Sequence, residues 1–312
     1  YNSDRNAYQP NRYFDATETQ IFAERVTLQE TPIDIDIATV KADYEQLFLE
    51  GKLGVGFKLS YVNTDNTFDF FNQIGDQNVL DPDQSNQFSY KENINAAYFN
   101  YNKKWGKWNM QMGLRMENTI SDGKLESTQD NADERVERNY VDFFPSGGLT
   151  FQMNRKNQFA LTYSKRIQRP NYQSLNPFEY KLNELSFGKG NPFLQPQYTD
   201  NIKLSHTFNY RLTTSLSYSY ISDFFAKVTV AEGESTNFLT TLNVADQEII
   251  NLGISYPKKI YEWWNLYFSL NAYISDYKPT SPEFLAVKQE TLSFYAQNTF
   301  TMSKGFKMEI SG

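Results

Sequence analysis

Alternation of apolar and polar residues runs through this chain almost from end to end, and it restricts the fold more than any other feature. The clearest stretch is 265–275. Leu266, Phe268, Leu270, Ala272 and Ile274 point one way, and Asn265, Tyr267, Ser269, Asn271, Tyr273 and Ser275 point the other. Strand side chains alternate with a period of two, so this segment carries an apolar face and a polar, Tyr-rich face. The pattern recurs. Leu53, Val55, Phe57, Leu59 and Tyr61 oppose Gly54, Gly56, Lys58 and Ser60. Trp108, Met110, Met112, Leu114 and Met116 oppose Asn109, Gln111, Gly113, Arg115 and Glu117. Phe159, Leu161 and Tyr163 oppose Ala160, Thr162 and Ser164, and Leu212, Leu216, Tyr218 and Tyr220 oppose Thr213, Ser215, Ser217 and Ser219. Leu292, Phe294 and Ala296 oppose Ser293, Tyr295 and Gln297.

Strands are expected at 19–29, 35–48, 52–71, 88–102, 108–120, 139–153, 157–168, 199–209, 212–230, 238–256, 264–277 and 288–302, with another starting at 306. Short connections fall near Glu50–Gly51, Lys103–Lys107, Asn154–Asn157, Asn209–Arg211, Pro257–Glu262 and Ser303–Gly305, rich in the Asn, Gly and Lys of tight hairpins. Long connections fall at 72–87, 121–138, 169–198, 231–237 and 278–287. Short and long interleave, which puts the long loops at one end of the strands. The join near Glu30–Asp34 breaks the parity, because it is short where a long loop is due.

This rhythm predicts an all-β chain. The architecture is a transmembrane antiparallel up-and-down β-barrel, here as a partial wall of about 12 or 13 strands from a larger barrel. In such barrels the long loops are extracellular and the short turns periplasmic. Mean hydropathy is only −0.64. No run approaches the roughly 18 to 20 apolar residues of a membrane-spanning helix, but a barrel wall needs apolar residues only at alternate positions. The aromatic content of 16% suits girdles at two bilayer interfaces. Lys58, Arg115 and Glu117 sit on the polar face, where a lumen tolerates charge; at mid-bilayer on the lipid face a Lys or Arg costs about 2–4 kcal/mol.

Composition excludes several chemistries. With no Cys, thiolate nucleophiles, disulfides and Cys metal sites are impossible. The net charge of −7 argues against a nucleic-acid partner. The single histidine, His206, lies on a strand and reads as an interfacial structural residue rather than a general base. No phosphate-binding loop is present; Gly51, Gly54 and Gly56 fall in a strand. The acidic stretch Ser121–Arg138 (Asp122, Glu126, Asp130, Asp133, Glu134) reads as a solvated loop, because its carboxylates lack calcium-loop spacing. No enzyme activity, metal or cofactor is expected. The N-terminal residues carry no apolar export signal. The whole of 1–312 reads as one barrel segment of a larger protein, with both ends cut.

The most distinctive segment starts at Arg166. It reads Arg166-Ile167-Gln168-Arg169-Pro170-Asn171-Tyr172, then Leu175-Asn176-Pro177-Phe178, then Gly190-Asn191-Pro192-Phe193-Leu194-Gln195-Pro196-Gln197-Tyr198-Thr199. Proline fixes φ and removes a donor, so these steps end strand pairing and stiffen the connection. With Tyr163-Ser164-Lys165 before it, the segment resembles the C-terminal barrel of TonB-dependent outer-membrane receptors, in the barrel family common in Bacteroidetes. Gly113-Leu114-Arg115-Met116-Glu117 and Phe143-Phe144-Pro145-Ser146 match the same family.

The resemblance implies a barrel of about 22 strands with a plug inside. It also implies nutrient uptake driven by the inner-membrane TonB complex. The implied partners are outer-membrane lipid, the chain's own N-terminal plug domain, TonB and a surface lipoprotein. Two readings of the long connection stand side by side. Its prolines and aromatics brace the barrel rim, or Tyr172, Phe178, Tyr180, Phe187 and Asn191 line a ligand vestibule. A passive porin or adhesin-like barrel and a soluble, secreted glycan-binding β-module are the rival functions.

Overall fold

The computed structural model describes residues 2–15, 20–128, 135–183, 186–232, 236–281, 284–302 and 305–312. They form β1 (Asn2–Phe14), β2 (Ile21–Phe48), β3 (Gly51–Ile74), β4 (Gln77–Leu80), β5 (Asn86–Trp105), β6 (Trp108–Ser127), β7 (Arg135–Gln152) and β8 (Asn157–Gln168). The long connection carries the short helix α1 (Tyr172–Leu175) and strands β9 (Tyr180–Asn183) and β10 (Ser186–Gly188). Then follow β11 (Gln197–Phe208), β12 (Leu212–Glu232), β13 (Thr236–Tyr261), β14 (Trp264–Pro279), β15 (Val287–Thr301) and β16 (Lys307–Ser311). All belong to one sheet, in which thirteen strands pair in series from β1 to β16. Every pairing along that series is antiparallel and follows chain order, with only β4, β9 and β10 standing off it, the up-and-down pattern the alternation calls for.

Register settles the facing. Leu149, Leu161, Leu204, Leu216, Leu252, Ala272 and Leu292 are successive partners from β7 to β15. One residue along each strand, Gly148, Thr162, Lys203, Ser217, Asn251, Tyr273 and Thr291 form the adjacent row on the opposite face. The apolar row is open: Leu204 is 51% and Leu292 73% exposed. An uninterrupted apolar surface of this extent is unstable against water and stable against lipid. Aromatic side chains edge the band toward the short turns. Trp108 stacks on Phe151 at 4.3 Å, Phe159 on His206 at 4.6 Å, and Trp264 lies 5.8 Å from Phe300. Amphipathic rings favour a headgroup interface, and His206 is one of them.

Two expectations need correction at the N-terminal side. The segments 19–29 and 35–48 are one strand, the 28-residue β2. Its pairing with β3 skips Thr31 and Pro32 and resumes in the same register at Ile33. Pro32 has no N–H to donate, so a proline that looks like a strand break costs only local ladder bonds. Strand β1 was not anticipated, because polar residues such as Asn6, Gln9 and Asn11 occupy both of its faces. With β1 added and β2 whole, the parity of short and long connections is restored.

Two of the expected long loops, 121–138 and 231–237, are largely strand. β6 continues to Ser127 and β7 begins at Arg135, so Asp122 and Glu126 lie on β6; residues 129–134, with Asp130, Asp133 and Glu134, fall outside the described residues. β12 and β13 likewise extend to Glu232 and from Thr236. A tilted membrane strand needs only about 9–11 residues, so these hairpins stand well clear of the bilayer. At the other end the turns are tight. Leu49 and Glu50 both have positive φ, 46° and 60°, as do Asn209 and Tyr210 at 51° and 56°. This is the two-residue geometry that suits the twist of a hairpin. Tyr101 and Lys103 donate to the Leu49 carbonyl at 3.1 and 2.8 Å and hold the first turn in place.

Candidate functional site

The site is built on a break in the wall. The β7–β8 ladder runs from Gln152↔Gln158 to Ser146↔Ser164 and stops. The next residue on β7 is Pro145, which has no N–H to offer a neighbour. Beyond it β7 pairs only with β6, and side chains fill the gap. Arg169 Nε donates to Tyr140 Oη at 3.3 Å, and Tyr198 Oη donates to the Asp142 carboxylate at 3.2 Å. Phe143-Phe144-Pro145-Ser146 thus marks where the strand leaves its partner.

Through this gap the long connection turns onto the polar face of the sheet. Asn171 caps α1, its Oδ1 accepting from Ser174 N at 2.8 Å. Asn176 Oδ1 accepts from Phe178 N at 3.1 Å, an Asx turn that redirects the chain at Pro177. The second Asn-Pro segment folds back on the first. Gly190 N donates to Asn176 O and Asn191 N to Ser174 O, both at 2.7 Å. A side chain at Gly190 would collide with the Asn176 carbonyl and reach within 2.8 Å of Ser174 O, so only glycine allows this approach. The two signature segments are therefore one interlocked unit.

This unit is latched at both ends. Leu175, Phe178 and Leu194 form a buried cluster with Phe88 of β5 and Leu125 of β6, with Phe68 of β3 and Phe225 of β12 packed against it. Phe88 pairs with Leu125 on the face that carries Ala96 and Glu117, the polar face. Arg138 of β7 donates to Leu194 O and Pro192 O at 2.6 Å. On the far side Asn243 of β13 exchanges hydrogen bonds with Gln195, 2.8 Å from its N and 3.1 Å to its O. Strand β10 adds in parallel beside Asn237–Leu239 of β13, on the stretch that β14 does not reach. The connection is thus a strut across the polar face, joining β5–β7 to β12–β13.

Charge is buried at the strut's root. Glu117 accepts from Arg115 on one oxygen and from Arg169 Nη2 at 2.7 Å on the other, and Arg169 Nη2 also donates to Thr119 Oγ1 at 2.9 Å. Glu117 is 7% exposed. A carboxylate at that depth is tolerable because two guanidinium groups bracket it. Nearer the strut's apolar cluster, burial holds the Tyr90 phenol above its usual range.

The five candidate ligand residues are distributed unevenly. Phe178 is 3% exposed inside the cluster, and Tyr172 packs half-buried against it. Asn191 accepts from Phe193 N at 3.0 Å and donates to Thr241 O at 3.4 Å, so it holds a turn. Phe187 is half-buried on β10 beside Phe238. Tyr180 is 43% exposed, its ring lying over Gly188. Between the strut and β12–β13 lies a cavity of about 140 Å³, bounded by Tyr180, Gln173, Lys189, Lys227, Thr240 and Thr241. Of the five, it contains Tyr180 alone. Lys227 and the threonines come from another hairpin, and no sequence spacing links them to the Asn-Pro segments.

The outer membrane protein beta-barrel family matches residues 1–312. No curated protein matches the chain. Among solved structures, the siderophore receptor PiuA from Acinetobacter baumannii aligns at a TM-score of 0.56 and 12% identity, over 92% of this chain and 46% of that one. The ferric yersiniabactin uptake receptor FyuA from Yersinia pestis aligns at 0.59 and 10%, over 99% and 46%. The copper transporter OprC aligns at 0.60 and 11%, over 99% and 52%. The chain spans about half the length of these structures, whose likeness is one of fold. An open apolar band, an unbroken antiparallel series and a family match over the full length agree: this chain belongs to the outer membrane protein beta-barrel family and resides in the outer membrane.

Proposed function

We propose that the chain forms part of the wall and outer rim of an energy-coupled uptake receptor of the TonB-dependent class. The observation that carries this reading is the strut. It spans the polar face above a continuous lipid-facing band and narrows the passage on the side where the long hairpins stand. A capture vestibule needs fixed walls, and the strut supplies one that is held at both ends. The fold is shared with structures named as a siderophore receptor, a ferric yersiniabactin uptake receptor and a copper transporter, which adds weight to import over adhesion.

In this reading, further strands pair with β1 and β16 to complete the barrel, since an open edge in lipid leaves backbone groups unsatisfied. A plug supplied by another part of the protein fills the lumen and couples to TonB. Tyr180 offers its exposed ring to the solute, while Phe178 and Asn191 hold the strut in position.

The test compares spent medium from three strains of the source organism: wild type, a deletion of this locus, and a deletion of the TonB gene. The same solute left unconsumed by both mutants supports energy-coupled uptake. A solute left only by the locus deletion makes the barrel a passive porin, and no difference in solutes favours an adhesive role.

A further inference from the structure

Lys227 sits on β12 as the partner of Thr241, whose carbonyl accepts from Asn191 of the strut. Its side chain is exposed, borders the 140 Å³ cavity, and makes no ion pair among the described residues. The second amine at the cavity is held differently. Lys189 Nζ lies 2.8 Å from Glu179 Oε1 and 4.5 Å from the centre of the Phe238 ring. Its position is therefore set by a carboxylate and an aromatic face together. The rest of the lining supplies Gln173, Thr240 and Thr241, and no Asp or Glu borders the cavity among the described residues.

From this arrangement we infer that the cavity is an oxyanion subsite, taking a carboxylate or phosphate group of the transported solute. The inference rests on the reading of the chain as an uptake receptor and adds to it the charge class of the cargo. Lys227 supplies a positive charge that no carboxylate among the described residues pairs with. Lys189 and the amide and hydroxyl donors complete the shell around a group small enough for the cavity. The strut fixes one wall through its own hydrogen bonds and the sheet fixes the other, so the donors are in place before the anion arrives. The location on the polar face points to a solute passing through the barrel rather than to a lipid headgroup, because lipid meets the opposite face.

Citrate and inorganic phosphate are the probes, and maltotriose is the uncharged control. Each is titrated calorimetrically into the intact receptor in detergent micelles, wild type and two variants. Lys227→Met is expected to weaken citrate or phosphate binding about tenfold or more, and Lys227→Arg to restore it to within about threefold. Rising salt weakens the wild-type affinity and leaves the Met variant nearly flat. Because Lys227 is exposed, both variants keep the heat-dependent gel migration of a folded barrel. Absence of binding by both anions to wild type, or an affinity indifferent to Lys227, overturns the subsite. So does equal binding of maltotriose. Failure of the two readings is separable. Anion binding that depends on Lys227 in a receptor whose uptake ignores TonB removes the transport reading and leaves the subsite. TonB-dependent uptake with anion binding blind to Lys227 does the reverse.

Discussion

Arg169 Nη2 donates to Glu117 Oε2 at 2.7 Å across 52 residues of sequence, tying the root of the strut to the inner face of β6. Two stretches that resemble the receptor family, Arg169-Pro170 and Arg115-Met116-Glu117, meet in this one interaction. The two partners are not equivalent. Removal of Arg169 leaves Glu117 still paired with Arg115, whereas neutralising Glu117 takes away the ion-pair partner of both guanidinium groups. Glu117→Gln is therefore expected to destabilise the strut by about 3–5 kcal/mol, and Arg169→Met by about 1.5–3 kcal/mol. Hydrogen exchange of the Gly190 and Asn191 amides, measured in micelles, checks the order; a larger effect for Arg169→Met would contradict it.

The facing of the wall predicts opposite fates for adjacent residues. Phe268 stands in the row of Tyr256 and Ala296, and Ser269 in the row of Ser255 and Tyr295. Phe268→Arg places a charge against lipid at a cost of about 2–4 kcal/mol near mid-bilayer and should block assembly. Ser269→Arg should assemble normally. Recovery of the folded form from outer-membrane fractions, read by heat-dependent gel migration, separates them; equal recovery would contradict the facing, and the opposite order would mean that the faces are reversed.

Gly190 should tolerate no side chain. Gly190→Ala drives a methyl group into Asn176 O and is expected to cost about 1–3 kcal/mol through overpacking. The barrel lies outside the collision and should still assemble, while the strut loses exchange protection and the cavity loses a wall. Gly147→Ala is the control: the nearest atom to its new Cβ is Gln111 O at 3.7 Å, ordinary contact. If Gly190→Ala kept full protection at Asn191, the interlock of the two Asn-Pro segments would be wrong.

The β6–β7 hairpin carries an acid-sensitive clasp beyond the membrane. Arg135 donates to Asp122 through Nε and Nη2, each at 2.9 Å, and these bonds hold the Asp122 carboxyl below its usual range. A depressed carboxyl pKa stabilises the fold above its unfolded value and loses that contribution as pH falls through the folded value. Protection of the Lys124 and Glu126 amides, taken relative to the intrinsic exchange rate at each pH, should therefore fall as pH drops below the ordinary carboxylate range. In Asp122→Asn the same amides should exchange faster at neutral pH and show no acid step, which peptide-level mass spectrometry can follow.

Much of the architecture is legible in the sequence, and the reasons for the rest are specific. Alternation at 265–275 and at 159–163 identified the lipid face correctly, because burial against lipid is decided residue by residue along a strand. Pro32 misled the reading of β2, because a proline inside a strand costs a local bond but not the register. The stretches 121–138 and 231–237 looked like loops, because strands that rise clear of the bilayer no longer alternate apolar with polar. Of the candidate ligand residues, Tyr180 alone borders the cavity. Lys227 was invisible as a neighbour, since only strand pairing brings β12 beside the strut.

By itself the sequence determined most of the secondary structure, the facing of the strands and the short-turn and long-hairpin ends, and its Arg-Pro and Asn-Pro motifs carried the family resemblance. The secondary structure, the facing and the two ends follow from local periodicity and from prolines and glycines whose backbone limits act in place. The tertiary structure alone decided that the Asn-Pro connection crosses the polar face. That outcome depends on Arg169 meeting Glu117, on Phe178 finding Phe88 and Leu125, and on Gln195 meeting Asn243. Those contacts join residues far apart in the chain, and no local pattern encodes them; they exist only once the curvature of the sheet brings β5–β7 and β12–β13 within reach of one strut.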